Sequence, residues 1–274
     1  MRYLRQNILC LTAAFALCSV LVAVDETENA DNTLKITEDQ ITMILRQTAM
    51  PELGEGRLAR ILTSYYIEGL GGADRWSQIS SLKLSGTLKL ESGDFDLNTY
   101  QKKPDLLKVT VRRTSSTLVL AYDGETAWQQ LPKDGAKPEL MGKAEARDFI
   151  HNAKFHNHLL YPFAFGKKIK YMDIVSVEGH VCHQVRVTLD SDYQFDYFID
   201  SRSNFMVQVI ANDLLDQTTQ RSVFKDYVRA PDEQGMPVAR KVESYENGGL
   251  VSTATIDEIS VNAGIPSWMF EMRR

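Results

Sequence analysis

The stretch FDLNTYQKKPDLLKV at residues 95–109, followed by TLVLAYDGETAW at 117–128, decides how this chain is read. Phe95, Leu97 and Thr99 alternate with polar residues, the period of a strand with one buried face. That strand ends at Lys102-Lys103-Pro104, where the proline removes a ladder donor and holds the lysine before it in extended geometry. A second strand restarts at Leu106. A third, 117–122, meets Asp123-Gly124, a dipeptide that tolerates the positive φ of a hairpin, and the chain re-enters as a strand at Glu125.

The same period extends outward in both directions. Leu82, Leu84, Leu88 and Leu90 alternate with Lys83, Ser85, Thr87 and Lys89. The alternation returns at Val181 to Leu189, at Tyr193, Phe195, Tyr197 and Ile199, at Phe205, Val207 and Val209, and at Val238, Arg240 and Val242. Polar and glycine-containing turns separate these runs, so residues 81–270 read as one antiparallel meander of about eleven strands. The period becomes helical at 143–154, where Ala146, Phe149, Ile150 and Ala153 share a face. It is also helical before the sheet, within 36–70. Thr37-Glu38-Asp39-Gln40 has capping-box spacing ahead of Ile41, Ile44 and Leu45, and Leu58, Ile61, Leu62 and Tyr65 predict a second helix over 57–68. Gly69, Gly71 and Gly72 end that helix; because they follow a helix and not a strand, they are not a nucleotide loop. The reading is mainly β, of the α+β kind. A sheet with one apolar face must bury it, either under helices laid across it or by closing into a barrel.

Residues 1–23 are of different material, with Arg2 and Arg5 ahead of an apolar run from Ile8. This is the pattern of a secretory signal, with cleavage expected after Ala23. A retained anchor is the rival; lipidation at Cys18 is a third option, although Leu17 is not the small residue expected before a lipidated cysteine. An acidic, flexible lead at 24–35 would follow, then a single domain over 36–274. Export would place the protein in an oxidising compartment, where Cys182 is the one remaining cysteine. Loss of two arginines leaves 29 basic against 36 acidic residues, a mature charge of −7, which argues against a nucleic-acid partner.

Hydrophobic content of 43% and charged content of 24% exclude a disordered chain. Catalytic signatures are missing: no Gly-x-Ser-x-Gly, no His-Glu-x-x-His and no paired Cys-x-x-Cys, so neither an enzyme nor a cofactor is expected. His180-Val181-Cys182-His183 is the most metal-like run, but strand alternation turns Cys182 away from His183, and no metal site is expected. The aromatic residues Phe95, Trp128, Phe149, Phe195 and Tyr197 either fill a core or line an apolar pocket between sheet and helices.

The Lys-Lys-Pro-Asp-Leu-Leu corner, the Asp123-Gly124-x-x-Ala127-Trp128 run, Val177-Glu178-Gly179, Tyr197-x-Ile199-Asp200 and Lys225-Asp226-Tyr227 ahead of Pro237 together resemble the periplasmic lipoprotein carriers of the LolA and LolB type. The resemblance implies an unclosed antiparallel half-barrel with helices over its concave apolar face, sheltering lipid acyl chains or lipoproteins passed between inner- and outer-membrane transport components. Lys103 matches an arginine that contacts the helical lid in such carriers, and Leu107 a phenylalanine beside the cavity; Lys lacks the planar fork of Arg and Leu lacks an aromatic face. The same resemblance makes Phe95, Leu97, Val109, Trp128, Phe149, Phe195 and Tyr197 candidate cavity residues. An envelope-stress sensor binding a membrane-protein partner is the alternative on the same scaffold, and a lipid hydrolase a further rival.

Overall fold

The computed structural model describes residues 53–114, 116–133, 135–160, 166–230 and 235–273. The expected signal, acidic lead and first helix, with Cys10 and Cys18, lie outside the described residues. Among the described residues, thirteen strands form one antiparallel sheet in the order β6-β5-β4-β3-β2-β1-β13-β12-β11-β10-β9-β8-β7. β6 and β7 are its two edges, so the sheet is unclosed. Sequence periodicity counted about eleven strands; a two-residue strand such as β6 (Glu139–Leu140) is too short to show a period.

The described residues fall into two compact units, 79–156 with 225–273, and 53–78 with 157–224. In the first, β1 (Ser81–Leu90), β2 (Gly93–Lys102), β3 (Leu106–Arg113), β4 (Ser116–Tyr122) and β5 (Ala127–Gln130) make a simple meander. β12 (Pro237–Glu246) and β13 (Gly249–Val261) continue it beyond β1. The leucines of β1 occupy alternate positions, and Leu82, Leu84, Leu88 and Leu90 are all buried. Gly86 fills the slot between them because β1 is bulged against β13 there, and a Cβ would lie 1.9 Å from the Thr255 carbonyl oxygen. The Asp123-Gly124 hairpin is wider than its dipeptide suggested. Asp123 Oδ1 accepts from the Glu125 and Thr126 amides at 3.0 and 2.8 Å, which spreads the loop over four residues and delays β5 to Ala127.

Helix α3 (Lys143–Asn152) belongs to this unit and follows β6. Glu145, three residues into the helix, reaches back to the Gly142 amide at 3.3 Å and satisfies one of its orphan donors. In the second unit, helix α1 (Arg57–Ser64) buries Leu58, Ile61 and Leu62 and then widens into a π-turn over Tyr65–Gly69, with Leu70 N donating to Tyr65 O. Gly69 passes so close to Asn204 that a Cβ would sit 2.2 Å from its carbonyl oxygen. A short helix that periodicity did not indicate, α2 (Ala73–Gln78), follows. β7 (Lys167–Val177), β8 (His180–Leu189), β9 (Tyr193–Asp200) and β10 (Met206–Asp213) complete this unit, and β11 (Thr218–Arg229) gives residues to both.

Candidate functional site

In the first unit, strand alternation and register assemble one buried, mainly apolar face. Gln101 stands opposite Leu107, Thr99 opposite Val109 and Leu97 opposite Val111, while Leu107 and Val109 stand opposite Tyr122 and Leu120. Leu97, Leu107 and Val109 are each 2% exposed. Phe95 continues the set toward the end of β2, where it is half-buried with the Arg113 guanidinium 5.3 Å above its ring. Phe149 on α3 is fully buried in the same unit.

Trp128 is not on that face. Its register partners are Ala121 on β4 and, through it, Lys108 on β3, all of opposite parity to Val109. The indole donates to the Phe270 carbonyl at 2.7 Å, and Lys108 donates to the Met269 carbonyl at 3.0 Å. Lys102 gives its ammonium to the Ile265 carbonyl and the Ser267 hydroxyl, both at 3.0 Å. Residues 265–270 are therefore strapped across the other side of β2, β3 and β5. The Asp-Gly-x-x-Ala-Trp pattern gave no sign of this, because the partners are backbone carbonyls about 140 residues away.

The corner after β2 faces a different neighbour. The Lys103-Pro104 peptide is cis, Lys103 N donates to Ser80 O at 2.9 Å, and Phe155 N donates to Pro104 O at 3.0 Å. The Lys103 ammonium lies 5.6 Å from the centre of the Phe155 ring, and Phe155 is fully buried just beyond the end of α3. Burial pushes the Lys103 amine down to about 8. It also raises the carboxyl of Asp105, against the opposing pull of Lys154. One lysine thus grips the C-terminal strap and the next meets the segment following α3.

Phe195 and Tyr197 belong to the second unit, on one face of β9 with Tyr193. Phe195 packs against Tyr193, Tyr197 and the His158 ring, at centroid distances of 5.2, 6.0 and 4.5 Å. The Tyr197 hydroxyl accepts from His158 N at 3.1 Å, and Asn157 donates to the Tyr65 hydroxyl at 2.6 Å. Tyr66 donates to the Leu159 carbonyl. Burial raises the hydroxyl pKa of all three tyrosines. The turn at 157–160 and the π-turn after α1 cover this stripe; nothing in the local sequence of 157–160 announced that role.

The His180-Val181-Cys182-His183 run divides as alternation requires. His180 Nδ1 meets Asp200 Oδ2 at 2.5 Å, and Cys182 is buried, its thiol pushed up to about 12 by burial and by the Asp200 charge. Among the described residues, no three His, Cys, Asp or Glu side chains converge as a metal site would need.

No protein-family model matches this sequence, and no curated protein matches it. Solved structures do. A DUF1329 family protein from Desulfovibrio piger is similar over 77% of this chain and 95% of its own, with 10% identity and a TM-score of 0.55. A LolA superfamily protein from Nitrosomonas europaea is similar over 77% of this chain and 96% of its own, with 10% identity and a TM-score of 0.52. With so little sequence in common, what is shared is the course of the backbone, and the chain has a LolA-like fold.

Proposed function

We propose that this protein is an exported, non-catalytic carrier that shelters the acyl chains of lipids or lipoproteins in the periplasm. The observation that carries the reading is the buried apolar set Leu97, Leu107, Val109, Val111 and Leu120 on one face of a LolA-like sheet, beside a corner that touches the segment after α3. In this reading the apolar face receives the chains, α3 is the cover over it, and Lys103 latches the cover through Phe155. Each methylene moved from water to such a face contributes about 0.8 kcal/mol, so a chain of a dozen carbons is held without covalent chemistry.

A fluorescent fatty-acid probe should bind the purified protein saturably, and Leu97→Asp or Val109→Asp should abolish binding by placing a charge on the face. A well-folded wild-type protein that binds no probe would sink the carrier reading. Native mass spectrometry of protein taken from its own envelope separates the sensor alternative, which expects a bound protein partner without lipid.

A further inference from the structure

β2 carries one residue that an apolar face does not explain. Gln101 is 1% exposed, yet among the described residues neither its Nε2 nor its Oε1 has a hydrogen-bond partner. Its register row is Leu82 on β1, Leu107 on β3, Tyr122 on β4 and Ala127 on β5. Tyr122, the other polar side chain of that row, spends its hydroxyl on the Gly124 carbonyl at 2.8 Å. A primary amide enclosed in hydrocarbon without partners is costly, and leucine or methionine at this place would avoid the cost. The residue has both a donor and an acceptor to offer, and no described residue uses either.

We propose that Gln101 is the polar anchor of the acyl site: Nε2 donates to the ester carbonyl of an acyl ester, and Oε1 accepts from a hydroxyl or amide N–H beside it. The inference rests on the carrier reading, since Gln101 shares its face with Leu97, Leu107 and Val109. It makes the site selective. A fatty-acid carboxylate has no proton for Oε1 and would set an ion in apolar surroundings against a neutral group. Bare hydrocarbon leaves both amide atoms orphaned. The matching chemistry, an uncharged ester next to a donor, is presented by a free monoacylglycerol and by the ester-linked chains of a lipidated N-terminal cysteine.

The test is displacement of a fluorescent acyl probe from the purified protein by monolauroylglycerol, by laurate, by dodecane and by a synthetic diacylglyceryl-cysteine peptide. In the wild type, the ester ligands should displace the probe at roughly tenfold lower concentration than laurate, the amount expected for one or two net hydrogen bonds. Gln101→Met, close in shape, should erase that margin while dodecane binds as before and the thermal midpoint of the ligand-free protein does not fall. Gln101→Leu serves as the second variant should Met fold poorly. A Gln101-dependent margin for the glycerol ester assigns the anchor to free lipid, and one for the peptide alone assigns it to lipidated proteins. If wild type binds the probe but ranks laurate with the esters, or if the margin survives both substitutions, the anchor is wrong and the carrier reading stands. If wild type binds no probe, both fall together.

Discussion

Lys102 and Lys103 are neighbours in sequence with opposite surroundings, and they make the cleanest comparison in the molecule. The Lys102 ammonium is held by the C-terminal strap, while that of Lys103 sits over Phe155. A partly desolvated cation–π contact stabilises by about 1–2 kcal/mol, so Lys103→Leu should speed release of a bound acyl probe by roughly 5- to 30-fold and Lys102→Leu should not. Equal release from both variants would remove Lys103 from the latch. The lysine also has a pH signature. Its amine is pushed from 10.5 down to about 8 by burial, so below pH 8 the charge is carried in both states and disfavours the folded one. Between pH 8 and 10.5 the folded state releases the proton first, and stability rises with pH. The urea midpoint of wild type should therefore gain on that of Lys103→Met between pH 7 and 9.5; a constant difference would show that the ammonium is not desolvated. Glu243 titrates with the opposite sign. Burial raises its pKa, but Lys225 and Lys241, each at 2.7 Å, and the Tyr245 hydroxyl at 2.9 Å outweigh that and bring it from 4.5 down to about 2. Its stabilisation is complete above pH 4.5 and lost as pH falls toward 2. Glu243→Gln should cost about 2–3 kcal/mol at pH 7 and much less near pH 2, read by chemical unfolding at the two pH values.

At the scale of elements, the period-two rule accounts for most of what each strand presents. On β2 and β3 it sends Leu97, Thr99, Gln101, Leu107 and Val109 to one side, and Tyr100 and Lys108 to the other. Trp128 follows its neighbours Ala121 and Lys108 to the second side, where residues 265–270 need a donor for the Phe270 carbonyl. Trp128→Phe should cost about 1 kcal/mol of stability through that lost hydrogen bond and leave acyl-probe affinity unchanged. Loss of probe binding without loss of stability would return Trp128 to the ligand face.

For the whole molecule, an unclosed sheet leaves two edges that could pair with another chain. The β6 edge is only two residues long, and the β7 edge carries Lys167, Lys168, Lys170 and Asp173, charges that discourage edge-to-edge association. The strand order runs without a break through both compact units, and β11 gives residues 218–224 to one and 225–229 to the other. We therefore expect the two units to unfold as a single domain, with coincident transitions by far-ultraviolet circular dichroism and by tryptophan fluorescence, which reports Trp76 in one unit and Trp128 and Trp268 in the other. Two separated transitions would show independent domains.

Alternation in the sequence was sufficient to find most of the strands, and the proline to place the corner at Lys103-Pro104, because both are local properties of the backbone, whereas the placing of Leu97, Leu107 and Val109 on one buried face depends on register between strands. The amphipathic pattern located α1 and α3 for the same reason. What the sequence could not supply were the contacts made across long separations. The strap of 265–270 over Trp128, the turn 157–160 over Phe195 and Tyr197, and the meeting of Lys103 with Phe155 depend on distant segments coming together, and each is held by backbone carbonyls and amides or by ring faces that leave no motif. Gln101 belongs with them. As one polar residue in an alternating strand it carries no signal of its own; only the packed rows on either side show that its amide is buried and, among the described residues, unpartnered.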